Sequence, residues 1–116
     1  MNVVKINIHN SREGILTLNG TTFTCISDQE IKQDDIVIHP QYSRVIDGDV
    51  FTFVVKNVLE QRPSRGDWNG KQPATWRHVE FKKEKINGRQ LAEIGIVRTE
   101  EVIENGNKVN KTFINF

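Results

Sequence analysis

The dipeptide Asn-Gly occurs four times in this chain, at 19/20, 69/70, 87/88 and 105/106, and Asp47-Gly48 adds a fifth pair of the same kind. A type I′ turn needs positive φ at both central residues. Gly adopts it freely and Asn or Asp tolerates it, so such pairs signal hairpins wherever extended segments flank them. Here they do. Val3 to His9, Ile15 to Leu18, Thr22 to Ile26, Ile36 to His39, Val50 to Leu59, Thr75 to Lys82, Leu91 to Ile103 and Lys108 to Phe116 are rich in Val, Ile, Thr and Phe, and several alternate. The last three Asn-Gly pairs recur every 18 residues, which leaves room for one strand between turns. The sequence therefore predicts an all-β fold, a small antiparallel barrel or sandwich of the OB-like or SH3-like kind. Ser27 and Glu30 have capping-box spacing, which predicts at most one short helical turn near residues 28–33.

Within 50–59, Phe51, Phe53, Val55 and Leu59 share one face of a strand and Val50, Val54 and Val58 the other. Both faces are apolar, so this strand is expected centrally with each side covered. At 116 residues, with no linker or low-complexity segment, residues 1–116 are expected to form a single domain around one core. Cys25 is the only cysteine, which excludes an intramolecular disulfide, and MNVVKINIHNSREG lacks the basic and apolar regions of a secretory leader. A cytoplasmic protein with no membrane association is the expectation.

Net charge is +1, but it is unevenly distributed. Residues 1–55 carry four basic and seven acidic side chains, residues 56–89 nine and four, and residues 90–116 three and four. The positive charge concentrates in RPSRGDWNGKQPATWRHVEF (62–81) and its surroundings, a stretch that also holds both tryptophans. From about Gln61 to Ala74 this stretch reads as a loop with Pro63 and Pro73 at its ends, and loops of that length are often functional. From Thr75 it reads as a strand, with Arg77, Val79 and Phe81 on one face and Trp76, His78, Glu80 and Lys82 on the other. An aromatic on a polar face is a platform for a stacked base, and a neighbouring cation meets a phosphate. The expected binding residues are Arg62, Arg65, Trp68, Lys71, Trp76, Arg77, His78 and Lys82. Arg65-Gly66-Asp67 also spells an adhesion tripeptide, but roughly one chain in fifty of this length carries it by chance.

Nothing in the sequence supports catalysis. His9, His39 and His78 are widely separated, no phosphate loop or nucleophile motif occurs, and Cys25 sits in an apolar strand where a buried thiol is expected. No catalytic residue, metal or cofactor is expected.

VFTFVVKNV, a basic loop, TWRHVEF and then EIGIVRTEEVIENGNKVNKTFINF succeed one another in an order that resembles the central strands and final hairpin of OB-fold single-stranded DNA-binding proteins, which also carry a Trp at the start of their third strand. The resemblance covers residues 50–116. KKEKINGRQ is shorter than the helix those folds carry before strand four, and the first 48 residues hold more strands than their single opening strand. What the resemblance implies is a partly closed barrel. Together these readings lead to the expectation of a non-enzymatic β domain that binds nucleic acid, single-stranded above all, through the basic Trp-containing loop and adjacent strand. The alternative is a protein-interaction module, an inhibitor or adaptor, that offers the same loop to an acidic partner protein, because Trp and Arg also dominate interface hot spots.

Overall fold

The structure, a computed structural model, describes residues 1–6, 15–63 and 75–116. In chain order the elements are β1 (Val3–Lys5), β2 (Leu16–Asn19), β3 (Thr22–Ser27), β4 (Ile36–Ile38), β5 (Arg44–Ile46), β6 (Asp49–Pro63), β7 (Thr75–Ile86), α1 (Gly88–Glu93), β8 (Val97–Glu104) and β9 (Asn107–Ile114). Seven strands form one sheet in the order β1-β4-β6-β7-β3-β2, with β5 also paired to β6, and β8 and β9 form a separate hairpin. The fold is all-β, as the turn spacing predicts. It is not a closed barrel, because β1 and β2 stand at opposite ends of the strand order and do not pair. Nor is it purely antiparallel, since β1 runs parallel to β4.

The turn dipeptides do not all make the same structure. Asp47 and Gly48 have φ of 50° and 82°, and Asn105 and Gly106 of 50° and 78°, the all-positive pattern of type I′ turns joining β5 to β6 and β8 to β9. At the first pair Asn19 lies opposite Thr22, so Gly20 and Thr21 form the loop, and positive φ falls on Gly20 at 60°. Asn87-Gly88 is no hairpin turn. Asn87 caps α1, its Oδ1 accepting from Arg89 N at 2.9 Å and Gln90 N at 3.2 Å, because the same short side chain that suits a turn also satisfies the open N–H groups of a helix start. Asn69-Gly70 lies outside the described residues.

The one helix among the described residues, Gly88–Glu93, is thus not where the sequence places it. Residues 28–33 contain no helical turn. Ser27 Oγ instead accepts from Gln29 N and donates to Gln29 O, both at 3.0 Å, and Asp35 Oδ2 accepts from Lys32 N at 2.9 Å. These local bonds satisfy the backbone that a helix would have used.

Strand β6 has both faces covered. Phe53 and Val55 enter a core with Val4, Phe23, Val37, Val79 and Phe81, whereas Val50 enters a second layer with Ile36, Ile38, Leu91, Ile96 and Val97, against which Val54 packs. The rings of Phe23, Phe53 and Phe81, one from each of β3, β6 and β7, meet with centroids 4.8 to 5.4 Å apart, the edge and tilted geometry that aromatic quadrupoles favour. Register shifts between Val55 and Asn57 and between Val58 and Glu60 interrupt the alternation. Each extra residue in a bulge moves the side chains after it to the other face. Val58 therefore joins the Phe53 core, and Leu59, expected beside Phe53, is 48% exposed.

The two layers are stitched where α1 begins. Gly88 N donates to Asp49 Oδ1 at 2.9 Å, and a Cβ on Gly88 would lie 1.8 Å from the Gly48 carbonyl oxygen. Backbone cannot yield there as a flexible side chain would. Gly88→Ala is expected to destabilise the protein by about 1–3 kcal/mol or more, seen as a thermal midpoint lowered by roughly 5 °C or more. An unchanged midpoint would mean that the helix start does not need this close approach.

Candidate functional site

β7 lies between β3 and β6, and its alternation sorts its side chains. Val79 is fully buried and Phe81 nearly so, and Trp76, His78 and Glu80 lie half-buried on the opposite, open face. Antiparallel register then builds that face in rows. Trp76 stands between Ile26 and Arg62, His78 between Thr24 and Glu60, and Glu80 between Thr22 and Asn57. Directly opposed residues share a face and sit close enough for side-chain contact.

Trp76 and His78 present nearly parallel rings, 11° apart in plane with centroids at 6.3 Å. The Arg62 guanidinium lies over the indole with Cζ 4.2 Å from the ring centroid, close enough for cation–π attraction. His78 Nδ1 is enclosed and has no hydrogen-bond partner among the described residues. An unsatisfied buried polar atom is uncommon in a folded protein.

Electrostatically the face is more balanced than the basic sequence suggests. Arg62 Nη1 lies 4.0 Å from Glu60 Oε1, and Lys82 Nζ 2.7 Å from Glu84 Oε1. Both pairs are exposed, so they contribute little to stability, yet they place a carboxylate beside each cation. Charge density along a sequence does not reveal this, because each partner arises from strand alternation two residues away.

The structure brings together four of the expected site residues, Arg62, Trp76, His78 and Lys82, along one side of β6 and β7. Arg65, Trp68 and Lys71 lie outside the described residues. Arg77 is not on the open face. It is 5% exposed, opposite Cys25 on β3 and Gln61 on β6, and its Nη1 donates to Ser27 O at 3.1 Å. The alternation that buries Val79 and Phe81 carries Arg77 inward with them, and burial lowers its pKa from the ordinary arginine value, an effect that the charges of Cys25 and Glu30 oppose. Gln61, Arg62 and Pro63, expected in the loop, belong instead to β6, whose last residue Pro63 pairs with Thr75 at the strand end, where a missing N–H is tolerated.

Sequence reasoning missed Ile26, Thr24 and Glu60, which border the aromatic pair. Glu60 lies just beyond the expected strand of Val50 to Leu59, and only the two bulges in β6 bring it opposite His78. Among the described residues no group of three His, Cys, Asp or Glu side chains converges as a metal site would require, and no helix is long and apolar enough to cross a membrane. Comparison of the chain with models of known protein families, with curated proteins and with solved structures finds no match.

If Arg62 shields one side of the indole, removing it exposes the ring. In a Trp68→Phe background, where emission reports Trp76 alone, Arg62→Ala is expected to raise the acrylamide quenching constant while removing about 0.5–1 kcal/mol of cation–π attraction. An unaltered quenching constant would show that Arg62 does not rest on Trp76 in solution.

Proposed function

We propose that this protein is a small non-enzymatic β domain that binds single-stranded nucleic acid on the open face of β7. Unpaired bases stack on Trp76 and His78, and Arg62 and Lys82 meet the backbone, with Arg65, Trp68 and Lys71 adding contacts from the segment between β6 and β7. The observation that carries the reading is the half-exposed, near-parallel Trp76 and His78 pair with a guanidinium against the indole. Every base has a π face, so such a platform accepts any sequence, and a cation beside it supplies the phosphate attraction. Arg77, buried on the other side of the sheet, takes no part in this contact.

A second reading has its own observation. Glu60 and Glu84 stand beside the two cations of the face, so the surface that remains is an aromatic and arginine patch of low net charge, the composition of a protein-interface hot spot. An inhibitor or adaptor would use this patch against a partner protein.

Titration of fluorescent single-stranded oligonucleotides at two salt concentrations separates them. Nucleic-acid binding predicts micromolar or tighter affinity at low salt, and two to four phosphate contacts give a slope of about −1.4 to −2.8 in log affinity against log salt. Trp76→Ala is expected to weaken binding by about 1–3 kcal/mol. No binding at low salt, with retention of one specific protein from a lysate, would replace this reading by the second.

A further inference from the structure

Strand β6 outruns its neighbours on the side away from β7. β4 pairs with it at Phe53 and Val54, and Val55 N then donates to Asp35 O at 2.9 Å while Val55 O accepts from Asp34 N at 2.8 Å. From Lys56 to Pro63 no strand but β7 lies along β6 among the described residues. All of this stretch except Val58 is exposed. Grooves of about 370 Å³ follow its free edge, one from Asn57 to Gln61 and one from Gln61 to Pro63, and leave room beside it. A free edge of this length presents unpaired N–H and C=O groups and is a template for another strand.

The ladder fixes which of those groups point outward. Phe81 N donates to Thr21 O on the β3 side at 2.9 Å, so the alternation of an antiparallel strand turns the amides of Val79 and Arg77 to β3 and those of His78 and Trp76 to β6. Glu60 and Arg62, opposite His78 and Trp76, therefore give their backbone groups to β7. Gln61, opposite Arg77, turns its N–H and C=O to the free edge. Pro63, opposite Thr75, also faces outward, where its missing N–H removes no bond to β7.

We propose that this edge joins a second copy of the chain, antiparallel about a two-fold axis through Gln61. In that register Gln61 exchanges both backbone bonds with its counterpart, and Glu60 of each copy faces Arg62 of the other. Leu59, 48% exposed in the single chain, comes against Pro63 of the second copy. Glu60 and Arg62 share the open face and lie 4.0 Å apart within one chain, so each arginine gains a second carboxylate. Other self-pairings fail. Centring on Glu60 or Arg62 opposes like charges and calls on backbone groups already given to β7, and centring on Leu59 sets Lys56 against Arg62. Centring on Val58 calls on Val55, whose amide Asp35 holds. Pro63 and the bulge at Leu59 confine the pairing to a few residues, so the contact is small, weak and specific in register. The sheet then continues from β7 and β6 of one copy into β6 and β7 of the other, and both Trp76 and His78 pairs stand on one face. With strands about 4.8 Å apart, the two β7 strands lie roughly 14 Å from each other. The inference does not depend on what that face binds.

Sedimentation equilibrium of the intact protein at low salt, from micromolar to about millimolar concentration, tests the association. The expected result is a monomer–dimer equilibrium that stops at the dimer, because a two-fold contact closes on itself. Glu60→Arg and Arg62→Glu each create two like-charged pairs across the axis and should weaken association by about fivefold to thirtyfold. The double variant, with opposite charges in exchanged positions, should return it to within about threefold of the original. Hydrogen exchange of the Gln61 amide, read in ¹H–¹⁵N spectra, should be fast in dilute protein and slow as concentration rises. A monomer at every concentration overturns the interface. A dimer indifferent to the single reversals, or one that the double variant does not regain, overturns the register. A Gln61 amide protected even in dilute monomer shows the edge covered by the chain itself and overturns the proposal.

Discussion

The pairing of β6 with β7 is the constraint on which the rest of the structure depends. Their register runs from Val50 opposite Ile86 to Pro63 opposite Thr75. One end of this ribbon carries the Phe53 and Phe81 rings into the core, and the other carries Arg62 and Trp76 into the candidate site. The two bulges let one ribbon serve both ends. Each inserts a residue, so the side-chain alternation that suits a two-sided core around Val50 to Val55 is reset before Glu60 and Arg62. Without the bulges the register would set Asn57 rather than Val58 opposite Val79, and Val58 rather than Glu60 opposite His78.

Stability and site are physically separate along this ribbon. The buried end is apolar on both faces and closed by the Gly88 approach to Gly48, a contact that tolerates no side chain. The open end is held by register, a cation–π contact and exposed ion pairs, interactions of a few tenths to about one kcal/mol each. Side chains there are positioned by strands anchored elsewhere. A platform of this kind keeps its shape without being buried.

Much of the architecture is legible in the chain alone. The turn pairs at Asp47 and Asn105, the central place of β6 and the sorting of β7 into Val79 and Phe81 against Trp76 and His78 all derive from φ preference and a period of two. Where sequence and structure part, two local solutions competed. Asn87-Gly88 could turn or cap, and Ser27 with Glu30 could start a helix or bond to a nearby backbone; a short stretch has no means of choosing, because the choice depends on what packs beside it. Leu91, which is fully buried, makes α1 worth forming, whereas residues 28–30 are exposed. Barrel closure failed for another reason. It requires distant edge strands to meet, and β1 and β2 are only three and four residues long.

Strand character, the two tight I′ turns and the apolar side of each strand follow from local residue order, since these are properties of neighbouring residues. Long-range packing sets the rest: β3 lies against β7, β1 runs parallel to β4, and the bulges bring Glu60 opposite His78 and Arg62 opposite Trp76. It also decided that Arg77 is enclosed beside a groove while Arg62 rests on an indole, although both belong to the same basic stretch. Charge is counted along the chain, but burial, and with it the strength of a charge and its need for a partner, is set by strands that the chain order keeps apart.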